Sequence, residues 1–179
     1  MVRFTALILA ASGLVAAAIP ESGTYTISQR GRSLGLKQSK SIAVVSQSKA
    51  SESAQQWVLQ STPGSGCGTF TVKNAKFGTY LGYRSGNIRD LAGSPIMGVD
   101  EAVQFTLFPG NKPDEFYLMS KDRMGVNYDA IGPLPANADD FPKVFLRPQQ
   151  GYEQPWVFKK ASAPARAGAS KPQESCPPN

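Results

Sequence analysis

Polar and apolar residues alternate through Gly23-Thr24-Tyr25-Thr26-Ile27, and the pattern returns almost letter for letter in Gly68-Thr69-Phe70-Thr71-Val72. Such alternation places one face of a strand in a core and the other in water. Asp114-Glu115-Phe116-Tyr117-Leu118 is a looser third copy, which spaces Tyr25, Phe70 and Phe116 by 45 and 46 residues. Each opening strand is followed by a short apolar motif around a glycine: Leu34-Gly35-Leu36, Leu81-Gly82-Tyr83 and Met124-Gly125-Val126. Glycine within a strand marks a bulge or a close approach of backbone, so these three read as one geometric requirement met three times. A third strand is predicted at Ile42-Ala43-Val44-Val45, Pro95-Ile96-Met97 and Val144-Phe145-Leu146.

Every unit then closes on an aromatic. The closing stretches are Gln55-Gln56-Trp57-Val58-Leu59, Val103-Gln104-Phe105-Thr106-Leu107 and Gln154-Pro155-Trp156-Val157-Phe158, with the aromatic recurring after 48 and then 51 residues. Four strands in each of three units give about twelve short strands in about 140 residues, which suits a closed all-β domain. The threefold repeat predicts a β-trefoil. In that fold the first and fourth strands of each unit form a six-stranded barrel and the middle two form capping hairpins. Trp57, Phe105 and Trp156 are then expected to fill the barrel with Tyr25, Phe70 and Phe116.

The expected domain spans residues 19–160, with repeats at about 23–63, 68–110 and 114–160. Residues 1–18 have the marks of a secretory signal peptide: an early Arg3, the apolar run Ala6-Leu7-Ile8-Leu9-Ala10, and Ala16-Ala17-Ala18 before the cleavage point. Broken by Ser12 and Gly13, the apolar run is short for a bilayer span. Secretion makes a disulfide between Cys67 and Cys176 the expected state of these two cysteines. It would tie the Ala/Pro/Ser/Lys-rich tail at 161–179 back to the junction between repeats one and two. That junction, Gly64-Ser65-Gly66-Cys67-Gly68, leads into a strand and lacks a Lys partner, so it reads as a linker and not a phosphate loop.

Charge changes the picture little. The formal net charge is +6, one unit less once Arg3 leaves with the leader, and the cations are scattered among Ser, Gln and Gly. A nucleic-acid partner calls for a denser basic stripe and is not expected. Chemistry is narrowed more sharply, because the sequence contains no histidine. That removes Ser-His-Asp and Cys-His nucleophiles and the commonest general base. Acidic neighbours occur at Asp100-Glu101, Asp114-Glu115 and Asp139-Asp140, but a glycosidase needs carboxylates facing each other across a cleft. These pairs read as solvated turn residues. The expectation is a binding protein without catalysis, metal or cofactor.

Two resemblances sharpen that expectation. The Gln-x-Trp pattern at Gln55–Trp57 and Gln154–Trp156 resembles the repeat mark of ricin-type lectins. The resemblance implies sugar sites built on an Asp near the second strand, a downstream aromatic and an amide. The corresponding neighbourhoods here read Leu36-Lys37, Tyr83-Arg84 and Val126-Asn127, none with the Asp, which leaves Asn127 and nearby Asp129 as sugar-site candidates. The whole domain is also similar to fungal β-trefoil protease inhibitors of the mycocypin and cospin type. This similarity is carried by Gly23–Ile27, the early Leu-Gly, Trp57-Val58, Val144-Phe145-Leu146-Arg147-Pro148 and Pro155-Trp156-Val157-Phe158.

That second resemblance implies inhibition through exposed loops. For a trypsin-directed member it points to the turn Lys37-Gln38-Ser39-Lys40-Ser41, with Asn87-Ile88-Arg89-Asp90 in repeat two as the next choice. The long connection Tyr128–Pro142 is a further loop that could bind. The leading expectation is a secreted, monomeric protease inhibitor whose partner is an extracellular serine or cysteine protease. Its alternatives are a carbohydrate-binding ricin-B-like lectin, with a glycan as partner, and a secreted host-directed effector. Membrane insertion is not expected.

Overall fold

The computed structural model describes residues 19–46, 53–62, 64–65, 68–84, 91–128, 142–148 and 154–161. The first unit contains β1 (Gly23–Gln29), β2 (Arg32–Leu36), β3 (Ala43–Ser46) and β4 (Gln56–Ser61), with a 3-10 turn at Ser53–Gln55 before β4. In the second unit β5 (Thr69–Asn74), β6 (Tyr80–Gly82), β7 (Met97–Val99) and β8 (Gln104–Pro109) follow. The third consists of β9 (Glu115–Ser120), β10 (Met124–Tyr128), β11 (Val144–Pro148) and β12 (Trp156–Lys160).

Six strands close on themselves. Antiparallel pairing runs β1–β4, β4–β5, β5–β8, β8–β9, β9–β12 and β12–β1, a barrel made of the first and fourth strand of every unit. The remaining strands form the hairpins β2–β3, β6–β7 and β10–β11. Three isolated bridges, Ile42–Met97, Val44–Lys143 and Pro95–Phe145, join the hairpins in a triangle across the barrel end. The fold is a β-trefoil.

The alternating residues behave as their period requires. Tyr25, Ile27 and Gln29 of β1 are buried while the residues between them are half-buried. Trp57, Phe105 and Trp156 are fully buried, and Tyr25, Phe70 and Phe116 join the same core cluster. Rings meet edge to face, as their quadrupoles favour: Phe116 lies 5.6 Å from Phe158, and Tyr128 lies 6.4 Å from Trp156. Close approach explains two of the repeat glycines. A Cβ on Gly35 would sit 3.1 Å from the Gln55 side chain, and one on Gly82 would sit 2.5 Å from a Val99 methyl.

The third strand of unit two starts later than its sequence suggested. Pro95 has no N–H to give a ladder, so it contributes only the bridge to Phe145, and regular pairing begins at Met97. The leader at 1–18, the tail at 162–179, Cys67 and Cys176 lie outside the described residues.

Candidate functional site

The turn from Lys37 to Ser41 is built on its own polar side chains. Ser41 Oγ donates to the Gln38 carbonyl at 2.9 Å and accepts from the Gln38 N–H at 3.1 Å, while the Ser41 N–H reaches the same carbonyl at 3.2 Å. The closed turn is pressed onto the second hairpin. Thr79 Oγ1 donates to the Ser39 carbonyl at 2.8 Å, and the Gly98 N–H donates to the Ser41 carbonyl at 3.0 Å. Gly98 has no room for a side chain, because a Cβ there would overlap the Ser39 carbonyl oxygen. Lys37 stays exposed, whereas the Lys40 ammonium is drawn to Asp100 at 2.6 Å.

This contact forms part of one wall of an open cleft of about 760 Å³. Lys40 comes from repeat one, and Tyr83 and Arg84 from the exit of β6. Met97, Gly98 and Val99 come from β7, and Asp100, Glu101, Ala102 and Val103 from its connection to β8. Lys121, in the turn between β9 and β10, completes the lining. Arg84, Asp100, Glu101 and Lys121 are exposed, while Tyr83 is buried with its ring edge-on to Phe105 at 6.2 Å. Burial pushes the Tyr83 phenol above its ordinary value. The nearby Asp122 carboxylate raises it further by charge and by hydrogen bonding, and a hydrogen bond with Ser120 acts in the other direction.

A separate polar network lies between repeats one and three. The Gln29 side chain, 2% exposed, donates from Nε2 to the Gln154 carbonyl at 2.5 Å and to Asn127 Oδ1 at 3.3 Å. Arg30 Nε donates to Gln154 Oε1 at 2.6 Å, and its guanidinium sits 5.8 Å from the centre of the Tyr128 ring. Asn127 is therefore engaged in joining the two repeats. Asp129, its companion as a sugar-site candidate, lies outside the described residues, as do Asn87, Ile88, Arg89 and Asp90.

Of the sequence candidates, Lys40 reaches the cleft, while Gln38 and Ser39 serve the turn that holds it. The sequence alone marks Asp100 and Glu101 only as solvated turn residues. Their place before the fourth strand, opposite the Tyr83-Arg84 neighbourhood across one hairpin, was the available signal. Lys121 comes from the next repeat, and nothing local marks it. Among the described residues, no three His, Cys, Asp or Glu side chains gather closely enough to hold a metal ion. No helix among them is long and apolar enough to cross a membrane.

No protein-family model matches the sequence. No curated protein matches it either. Solved structures do. The Rhizoctonia solani agglutinin superposes with a TM-score of 0.64 at 24% identity, covering 79% of this chain and 97% of its own. The Macrolepiota procera ricin B-like lectin, solved in complex with lactose, gives 0.63 at 19% identity over 79% of this chain and 99% of its own. The Polyporus squamosus lectin, bound to a Neu5Aca2-6Galb1-4GlcNAc epitope, gives 0.60 at 21% identity, covering 79% of this chain and 50% of its own. At these identities the likeness establishes the shared β-trefoil.

Proposed function

We propose that this protein is a secreted, non-enzymatic β-trefoil that binds carbohydrate in the cleft on its second hairpin. The observation that carries the reading is the composition of that cleft. Tyr83, Met97, Val99 and Val103 supply apolar surface, and Lys40, Arg84, Asp100, Glu101 and Lys121 supply polar groups around it. A sugar ring presents an apolar C–H face and a rim of hydroxyls, so a site of both kinds suits it. The similar solved structures include a lectin with lactose and a lectin with a sialylated epitope, which supports the same reading. A secretory leader at 1–18 agrees with extracellular glycans as partners.

Protease inhibition draws on Lys37 and Lys40, and the turn's geometry favours it less. A loop that enters a protease cleft must offer extended backbone. Here Gln38 and Ser41 close the turn on each other, and the Ser39 carbonyl is already bonded to Thr79.

The deciding experiment probes the purified protein on an array of neutral, uronate-bearing, sialylated and sulfated glycans. Saturable binding to a defined set is expected, and binding to none would end the carbohydrate reading. Trypsin, subtilisin and papain are expected to keep full activity in excess protein. Stoichiometric loss of any of them would restore the inhibitor reading.

A further inference from the structure

We infer that the cleft on the second hairpin selects an acidic saccharide, carrying a ring carboxylate or a sulfate, over its neutral counterpart. The inference rests on the carbohydrate-binding reading and adds the ligand's charge to it. Five charged side chains line the cleft, and two of them, Lys40 and Asp100, neutralise each other at 2.6 Å. Arg84, Lys121 and Glu101 have no ion-pair partner among the described residues. The lining therefore presents two cations and one carboxylate without an ion-pair partner among the described residues, with the Asp122 carboxylate beside Tyr83.

Their hydrogen-bonding character points the same way. Arg84 and Lys121 are donors only, so they require acceptors on the ligand. Hydroxyls satisfy a guanidinium weakly, whereas a carboxylate or sulfate can take two parallel N–H bonds from its planar fork. Glu101 is an acceptor only, and it takes the hydroxyl donors of the same sugar. The lining as a whole sets three cations against two carboxylates, a net charge of +1. The formal +6 of the whole chain adds a weak attraction that is screened by salt.

The test takes the purified protein and the variants R84Q, K121Q and K159Q. The substituted side chains are exposed, so folding is expected to persist. Lys159 is on β12 and does not line the cleft, which makes K159Q the control for overall charge. Each protein is run on the glycan array and titrated with tetragalacturonate and its methyl ester. Tetragalacturonate is expected to bind about tenfold or more tightly than the ester, with R84Q and K121Q each weakening it severalfold and K159Q leaving it unchanged.

Equal binding of acid and ester, or array hits confined to neutral glycans, would overturn the acidic preference and leave carbohydrate binding standing. Equal loss in K159Q would assign the preference to overall charge and overturn the role of this cleft. An array without any hit would remove the carbohydrate reading, and this inference with it.

Discussion

Repeats one and three close on tryptophan, whereas repeat two closes on phenylalanine. The indole of Trp57 donates to the Leu34 carbonyl at 3.0 Å, and that of Trp156 donates to the Val126 carbonyl at 2.6 Å. In both repeats the barrel aromatic is bonded to the backbone of the hairpin above it. Phe105 has no N–H to give, and its contact with the second hairpin is the edge of the Tyr83 ring. The hairpin strands differ in step: β2 and β10 have five residues each, and β6 has three. The 760 Å³ cleft opens at that short hairpin, whose barrel aromatic has no N–H with which to bond it. The second hairpin pairs over three residues, and its Tyr83-Arg84 and Asp100–Val103 segments frame the cleft.

The largest effect should come from the tied repeats. Trp57→Ala removes a fully buried side chain and its hydrogen bond, and is expected to cost about 3–5 kcal/mol. Phe105→Ala should cost less, since no donor is lost and the nearby cleft gives its neighbours room to relax. Urea midpoints of the two variants check the order. If Phe105→Ala proves the more damaging, the second repeat is as firmly anchored as the others and the contrast collapses.

Gly98 tests the opposite side of the comparison, because here the second hairpin is held tightly by repeat one. Gly98→Ala would drive a methyl into the Ser39 carbonyl, and backbone must shift to relieve it. Such overpacking is expected to cost about 1–3 kcal/mol. Because the displaced turn carries Lys40 into the cleft wall, ligand affinity should fall along with the melting temperature. A variant that melts earlier but binds its glycan unchanged would separate the turn from the site.

The barrel was legible in the chain because its demands repeat. Tyr25, Phe70 and Phe116 and the three closing aromatics meet one requirement at nearly constant spacing, and each is buried. The candidate site was not legible, because its cleft is made where the repeats disagree and draws on all three. Lys40, Asp100 and Lys121 are far apart in sequence, and the docking of one turn on Thr79 and Gly98 brings the first two together. The Gln-x-Trp mark also misleads at close range. Gln55 is buried and donates to Ser46 Oγ at 2.6 Å, while Gln154 is exposed and accepts from Arg30, so one motif letter does two jobs.

Alkaline pH acts in the same direction on a tyrosine of the cleft and on one of the barrel. Folding raises the Tyr83 phenol above the ordinary 10.0, chiefly by burial, and raises Tyr25 by burial and by the charge of Glu21. The folded state therefore favours the protonated phenols. Their contribution is intact below pH 10 and is lost as pH climbs through the raised folded values, with a slope of up to about 1.4 kcal/mol per pH unit for each proton. Tyr83→Phe should flatten part of the stability loss above pH 10, measured by urea midpoints across an alkaline series. An unchanged profile would show that the Tyr83 phenol ionises alike in the folded and unfolded chain.

The smallest effect is expected at the ion pair that joins repeat one to the cleft. Lys40 and Asp100 are 64% and 68% exposed, so water screens their attraction, and holding two mobile side chains together offsets much of the rest. Lys40→Ala should change stability by less than about 1 kcal/mol. Its consequence for binding should be larger and selective. With Lys40 gone, the Asp100 carboxylate loses its ion-pair partner, and the cleft changes from three cations against two carboxylates to two against two. Acidic glycans should then bind several times more weakly while neutral ones are unaffected, which titration of both kinds against wild type and Lys40→Ala would measure. Equal weakening of both would mean that Lys40 shapes the wall instead of balancing its charge. The second hairpin would then owe its cleft to the docked turn as much as to its own short strands.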